Sequence, residues 1–126
     1  AYQRNLGPAT LVWSVVRKAA AEAGKAWGVG VAFIAGAERW LPVQDAVDTA
    51  KLVVELRKQH SDPDGAPLAP IVAFGLQGPE EGFPPQPFAE AFAIARAGGM
   101  LAVPHAGEHA GAASVAAALD VLGAQR

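Results

Sequence analysis

Residues 101–111 read LAVPHAGEHAG, an apolar run that ends in three ionisable side chains, His105, Glu108 and His109, in a chain only 17% charged. A neutral imidazole at the end of a rigid strand suits a divalent metal, most often zinc where sulfur ligands are absent. This chain has no cysteine, so any metal must be held by histidines and carboxylates. A carboxylate beside the metal ligand, but not on it, can move protons for a metal-bound water. A plainer reading fits the same letters: a histidine satisfied by backbone groups, then a glutamate at a helix start, where the dipole favours negative charge. They also contain H-x-x-E-H, which in inverted zinc proteases lies on a helix and sets both histidines on one face. Gly107 and Pro104 interrupt such a helix. The protease reading is disfavoured, and His109 is placed in a surface loop.

Whatever these groups do depends on the elements that carry them. After Gly7-Pro8, apolar residues from Leu11 to Ala20 recur at helical spacing and the pattern stops at Gly24. GVGVAFIAG, residues 28–36, is continuously apolar between glycines, as in a strand buried on both faces of a parallel sheet. Pro42 suits a helix start, and Val43, Val47, Ala50, Val54 and Leu56 carry its stripe to about Gln59. Three prolines and a glycine make residues 60–70 a loop, in which His60 is most simply solvated. A second buried strand, IVAFGL, gives way to the irregular QGPEEGFPPQP at residues 77–87. Phe88, Ala91, Phe92 and Ala95 mark a helix ending near Gly98-Gly99. MLAVPH is the third strand, and Ser114 to Leu122 the last helix.

The order α-β-α-β-α-β-α, without hairpin signals, implies an α/β fold with parallel strands joined by right-handed crossovers. Three strands are few, and an open sheet of them exposes two apolar edges. The pattern reads as one partial domain over residues 1–126, a segment of a TIM (β/α)8 barrel rather than a nucleotide fold, since no GxGxxG follows any strand. Barrel enzymes keep catalytic groups at the C-terminal ends of their strands, which is where His105 falls. Gly107 lets the chain turn abruptly, so that Glu108 folds back toward the same space.

Composition narrows the partners. Ten Lys and Arg against twelve Asp and Glu give a net charge of −2 with no basic block, which argues against nucleic acid. No apolar run reaches the roughly 20 residues that span a bilayer, and no signal-peptide layout opens the chain. The expectation is no membrane partner and a cytoplasmic location. Trp13, Trp27 and Trp40 are read as core or rim packing, and Glu80-Glu81 as a solvated acidic pair beside the loop. Arg39 follows the first strand, with nothing in the sequence to fix its role.

Three stretches together, VAFGLQGPE (72–80), PFAEAFAIARAGGMLAVPHAGE (87–108) and ASVAAALDVLGAQR (113–126), closely resemble the adenosine deaminase family of metal-dependent amidohydrolases. The resemblance is specific from about Ile71 onward; before that only the pattern of elements matches. It implies an eight-unit β/α barrel, of which this chain is the central part, that deaminates 6-aminopurine nucleosides with a zinc-bound water. His105 matches a zinc ligand. Glu108 matches the acid that protonates the purine ring nitrogen beside the reacting carbon, a role that calls for a buried carboxyl with a raised pKa. Gly78 matches a glycine whose backbone N–H meets the purine, and its missing Cβ admits a close approach.

The sequence departs from the family at Gly75, where many members have an aspartate, and at Pro79, where they have another acid. The Gly-Pro-Glu form of the loop resembles a bacterial subgroup. Adenosine, a modified adenosine such as the aminofutalosine of menaquinone synthesis, and another aminopurine are all left open as substrates. Nothing in residues 1–126 matches the family's HxH pair, its general-base histidine or its later metal-binding aspartate. The isolated chain is therefore expected to hold zinc poorly and not to turn over. Two readings stand: a piece of a nucleoside deaminase active only in a complete barrel, or a non-catalytic module that self-associates through exposed sheet edges.

Overall fold

In the computed structural model, which describes residues 7–126, helices and strands alternate along the chain. The elements are α1 (Ala9–Trp27), β1 (Phe33–Glu38), α2 (Val43–Arg57), β2 (Ile71–Gln77), α3 (Ala89–Ala97), β3 (Leu101–Ala102) and α4 (Gly111–Ala117). A 3₁₀ turn at Gln86–Phe88 leads into α3, and a π turn at Ala118–Leu122 extends α4. This is the order read from the sequence.

The strands form one sheet in the order β1-β2-β3. β2 and β3 are parallel, with Ala73 opposite Leu101 and Phe74 opposite Ala102. β1 and β2 run the same way, because Phe33 N–H donates to Pro70 O and Arg39 N–H to Gln77 O, each at 2.8 Å, so the partners advance together. Parallel neighbours cannot be joined by hairpins and need crossovers. Helices α2 and α3 supply them.

One compact unit combines α1 and its continuation to Phe33 with Glu55–Ile71. Its centre is Arg17, 1% exposed. The guanidinium donates to Ala69 O (2.7 Å), Leu56 O (2.7 Å) and Gln59 O (2.6 Å). The last two carbonyls lie at and just beyond the C-terminal end of α2, where a helix leaves its acceptors unpaired and favours a cation. Burial pulls the Arg17 pKa below its ordinary value. Trp13 meets Phe33 edge to face, with ring centroids 5.7 Å apart.

The other unit combines Ile34–Val54 with Val72–Arg126. Alternation along β1 buries Ala35 and Ala37, and Val47, Ala50 and Val53 form the buried stripe of α2. Phe74 of β2 meets Phe92 of α3 at 5.1 Å between centroids, both fully buried. Leu122 and Ala118 are buried as well. The four positions that marked α3 in the sequence, Phe88, Ala91, Phe92 and Ala95, are all core.

Three boundaries differ from the sequence expectation. α1 runs through Gly24 and stops at Gly28, whose φ of 65° closes the helix. Gly24 serves a close approach instead: a Cβ there would lie 2.6 Å from Val29 O. With Gly28 committed to the cap, the first strand begins at Phe33, not residue 28, where the carbonyl of Pro70 first offers a ladder partner. That strand is not buried on both faces, since Ile34 is 53% exposed. MLAVPH keeps only two residues as regular strand. The parallel bonds still continue from Val103 N–H to Phe74 O (2.9 Å) and from His105 N–H to Leu76 O (3.0 Å), on either side of Pro104, which has no N–H.

The tryptophan expectation holds for Trp13, whereas Trp27 and Trp40 are exposed. Among the described residues no helix is long and apolar enough to cross a membrane.

Candidate active site

The two ladder bonds that flank Pro104 carry β3 straight to His105, which therefore stands at the C-terminal end of the strand. Gly107 follows with φ 87°, a conformation that L side chains resist, and the chain turns there as the sequence suggested. His105 and Glu108 then line one cavity of about 490 Å³ with Ile34, Gly75, Gln77 and Val103. Sheet alternation explains the set. Gly75 and Gln77 of β2, and Val103 and His105 in the ladder that continues beyond β3, are spaced by two and share one face. Gly75 leaves room that a side chain would occupy, its ideal Cβ lying 3.4 Å from Ile34 Cγ2 and Val103 O.

Three features depart from expectation. Glu108 was expected to be buried, but its side chain is exposed. Gly78 does not line the cavity with His105 and Glu108. Its φ is 95°, and an added Cβ would meet Trp40 Cε3 at 3.3 Å and Arg39 N at 3.5 Å. Backbone conformation and close packing thus account for the glycine. His109 is exposed in the turn, as read from the sequence, and His60 is exposed in its loop.

The third departure is Glu80. It is 5% exposed, not half of a solvated acidic pair. Its Oε2 accepts from Ala110 N–H at 2.9 Å and its Oε1 from Glu108 N–H at 3.2 Å. Burial alone would push the Glu80 carboxyl up, but these two amides, joined by those of Gly107 and His109, hold it below the ordinary carboxylate range. Arg39, 1% exposed, reaches the same segment. Its Nη2 donates to His105 O at 2.5 Å and its Nη1 to Phe83 O at 2.7 Å. Burial lowers the Arg39 pKa, and the nearby Glu80 charge opposes that shift. Sequence reasoning missed both roles because the partners are main-chain groups far along the chain. The only local signal was a charged residue just after each of two strands.

Among the described residues no three His, Cys, Asp or Glu side chains come together as a metal site. A catalytic zinc takes three protein ligands as a rule. The donor set present, His105 with Glu108 nearby, does not by itself fit a zinc ion. Beyond α4, Gln125 bonds the far side of β3: its N–H donates to Ala102 O (2.9 Å) and its Oε1 accepts from Ala102 N–H (3.1 Å).

A family model described as adenosine deaminase matches residues 1–126. The chain belongs to the adenosine deaminase family. Among its relatives is a putative adenosine/adenine deaminase of Streptomyces virginiae, 36% identical over 112 residues, covering 89% of this chain and 30% of the relative. An adenine deaminase of Ectopseudomonas mendocina is 31% identical over 119 residues, covering 94% of this chain and 34% of the relative. The crystal structure of an adenine deaminase from Arthrobacter aurescens superposes with a TM-score of 0.83 at 26% identity, over 99% of this chain and 35% of that one. An amidohydrolase from Burkholderia ambifaria, solved with bound Zn, gives 0.66 at 26% identity over 85% of this chain and 27% of that one. The chain thus spans about a third of the length of these proteins. Its parallel strands and alternating helices are a partial segment of the family's TIM barrel.

Proposed function

We propose that this chain supplies part of the active site of a metal-dependent deaminase acting on a 6-aminopurine, as the central βα units of the barrel. The observation that carries the reading is the joint placement of His105, at the end of a parallel strand, and Glu108, after a glycine turn, on one cavity. That is the constellation a metal ligand and an adjacent proton carrier need. His105 would present its imidazole to a metal as one ligand of a set whose other members are not among the described residues. Glu108 gives its proton to the purine ring nitrogen next to the carbon that loses the amine. Glu108 is exposed in this chain, so substrate and surrounding barrel must supply the water-excluded setting that the role calls for. Gly78, which lies outside that cavity, is assigned the backbone N–H contact with the purine on the family resemblance alone.

The finer assignment is a nucleoside, adenosine or a related 6-aminopurine nucleoside. The names of the relatives, adenine deaminase among them, support the free base as a second reading. Product analysis on the complete gene product separates the two: adenosine would give inosine and ammonia, adenine would give hypoxanthine and ammonia. Turnover of either supports an aminopurine deaminase, and the kcat/KM ratio assigns the substrate. No ammonia from adenine, adenosine or a 5′-modified adenosine with zinc supplied overturns the proposal.

A further inference from the structure

We propose that Arg39 and Glu80 are positioning residues that together fix the His105–Ala110 turn and so set where Glu108 stands relative to His105. This rests on the deaminase reading for its catalytic consequence, but not for its structural content. The brace has two arms on one segment. Arg39, directly after β1, holds the carbonyl of His105, and Glu80, in the loop after β2, holds the amides of Glu108 and Ala110. Arg39 also holds Phe83 O, and Phe83 N–H donates to Glu80 O at 3.1 Å, which ties the loop bearing Glu80 to the same guanidinium. Loops following all three strands are thereby linked through two buried side chains.

Stability is a poor explanation for this arrangement. Burying opposite charges roughly breaks even against apolar filling. Arg39 Nε is buried with no hydrogen-bond partner among the described residues, which adds a desolvation penalty. What the pair does provide is direction. A carboxylate accepts from consecutive amides only if the turn adopts one conformation, and a guanidinium bridges two carbonyls only at one separation. The exposed side chains of His105 and Glu108 have no hydrogen-bond brace of their own among the described residues, so the main chain is what places them.

The test compares Glu80→Gln and Arg39→Lys with wild type in the complete gene product. Glutamine keeps the shape of Glu80 but offers one acceptor and turns an N–H₂ toward the amides. Lysine keeps the charge of Arg39 but loses the fork. Hydrogen exchange read by mass spectrometry on the peptide covering 105–111 should quicken at least tenfold in each variant, while the peptide covering α3 is unchanged and reports an intact fold. Turnover should fall about 10- to 100-fold, the usual range for groups that orient a metal ligand. KM should stay within about threefold and bound zinc at wild-type stoichiometry, a split that general destabilisation would not give. The double variant should lose little more than the worse single one, because both arms hold one segment. Unchanged exchange at 105–111 in both variants overturns the brace, as does quickened exchange with wild-type turnover. If the wild type deaminates no aminopurine, the functional reading fails and the exchange result alone decides the brace.

Discussion

Replacing Gly107 by alanine perturbs the turn between His105 and Glu108 in two separable ways. The backbone there has φ 87°, outside the regions an L side chain accepts, which costs about 1–2 kcal/mol. The new Cβ would also sit 2.5 Å from Val115 Cγ2, closer than real carbons approach. Forced contacts of this kind cost about 1–3 kcal/mol, and the low end applies because Val115 is 39% exposed and can swing away. The sum, about 2–3 kcal/mol, corresponds to roughly a 30- to 150-fold shift toward a released turn. Release costs the turn its bonds to Glu80, so the loop should open before the core does. Urea denaturation and hydrogen exchange at 105–111 measure the two responses. Gly107→Ala should destabilise or open the turn by that amount, and adding Val115→Ala should recover about 1 kcal/mol as a favourable coupling, since it removes the clash but not the strain. Wild-type stability and exchange in Gly107→Ala, with no coupling to Val115→Ala, would refute the reasoning.

Arg17→Met should lower the urea-derived stability by about 3 kcal/mol, because three carbonyls lose a charged donor; an unchanged midpoint would show that water replaces it freely. Phe92→Ala, which empties a fully buried site against Phe74, should cost about 3–5 kcal/mol in the same measurement. The Lys18–Asp62 ion pair, at 2.8 Å, carries a pH dependence with a definite sign. The Lys18 hydrogen bond, then the Ala66 amide, holds Asp62 below its ordinary pKa, while Asp62 holds Lys18 above its own. Asp62 therefore contributes fully above about pH 4 and loses its contribution as pH falls through the lower folded value. Lys18 contributes below about pH 10 and loses its share as pH rises through the higher folded value. The stability difference between wild type and Lys18→Met should be flat between these limits and vanish beyond both; a difference that persists at pH 2 would contradict it.

How much of this was legible in the sequence depended on how local the determining interactions are. α3 was read correctly because Phe88, Ala91, Phe92 and Ala95 face the sheet at a spacing that only a helix produces. β2 was read almost to the residue, since IVAFGL is flanked by Pro70 and Gly78. The first strand slipped because Gly28 to Ala32 look like strand by composition, while the ladder that defines one starts only opposite Pro70. In the site, His105 was placed at its strand end by pattern and resemblance, and Gly107 by its need for a positive φ. Glu80 and Arg39 were opaque for one shared reason. Their partners are peptide groups, which every residue possesses, about 30 and 66 residues away. The exposure of Glu108 was equally hidden, because burial depends on neighbours that are distant in the chain.

The central claim, that His105 and Glu108 divide metal binding and proton delivery between them, is tested most directly by measuring zinc content and aminopurine turnover together. The complete gene product would be compared as wild type, His105→Ala and Glu108→Gln. His105→Ala should lose zinc and activity together, whereas Glu108→Gln should retain full zinc and lose turnover by about 10²- to 10⁴-fold, the range for removing a general acid. Glu108→Gln at wild-type rate, or His105→Ala with undiminished zinc, would contradict it.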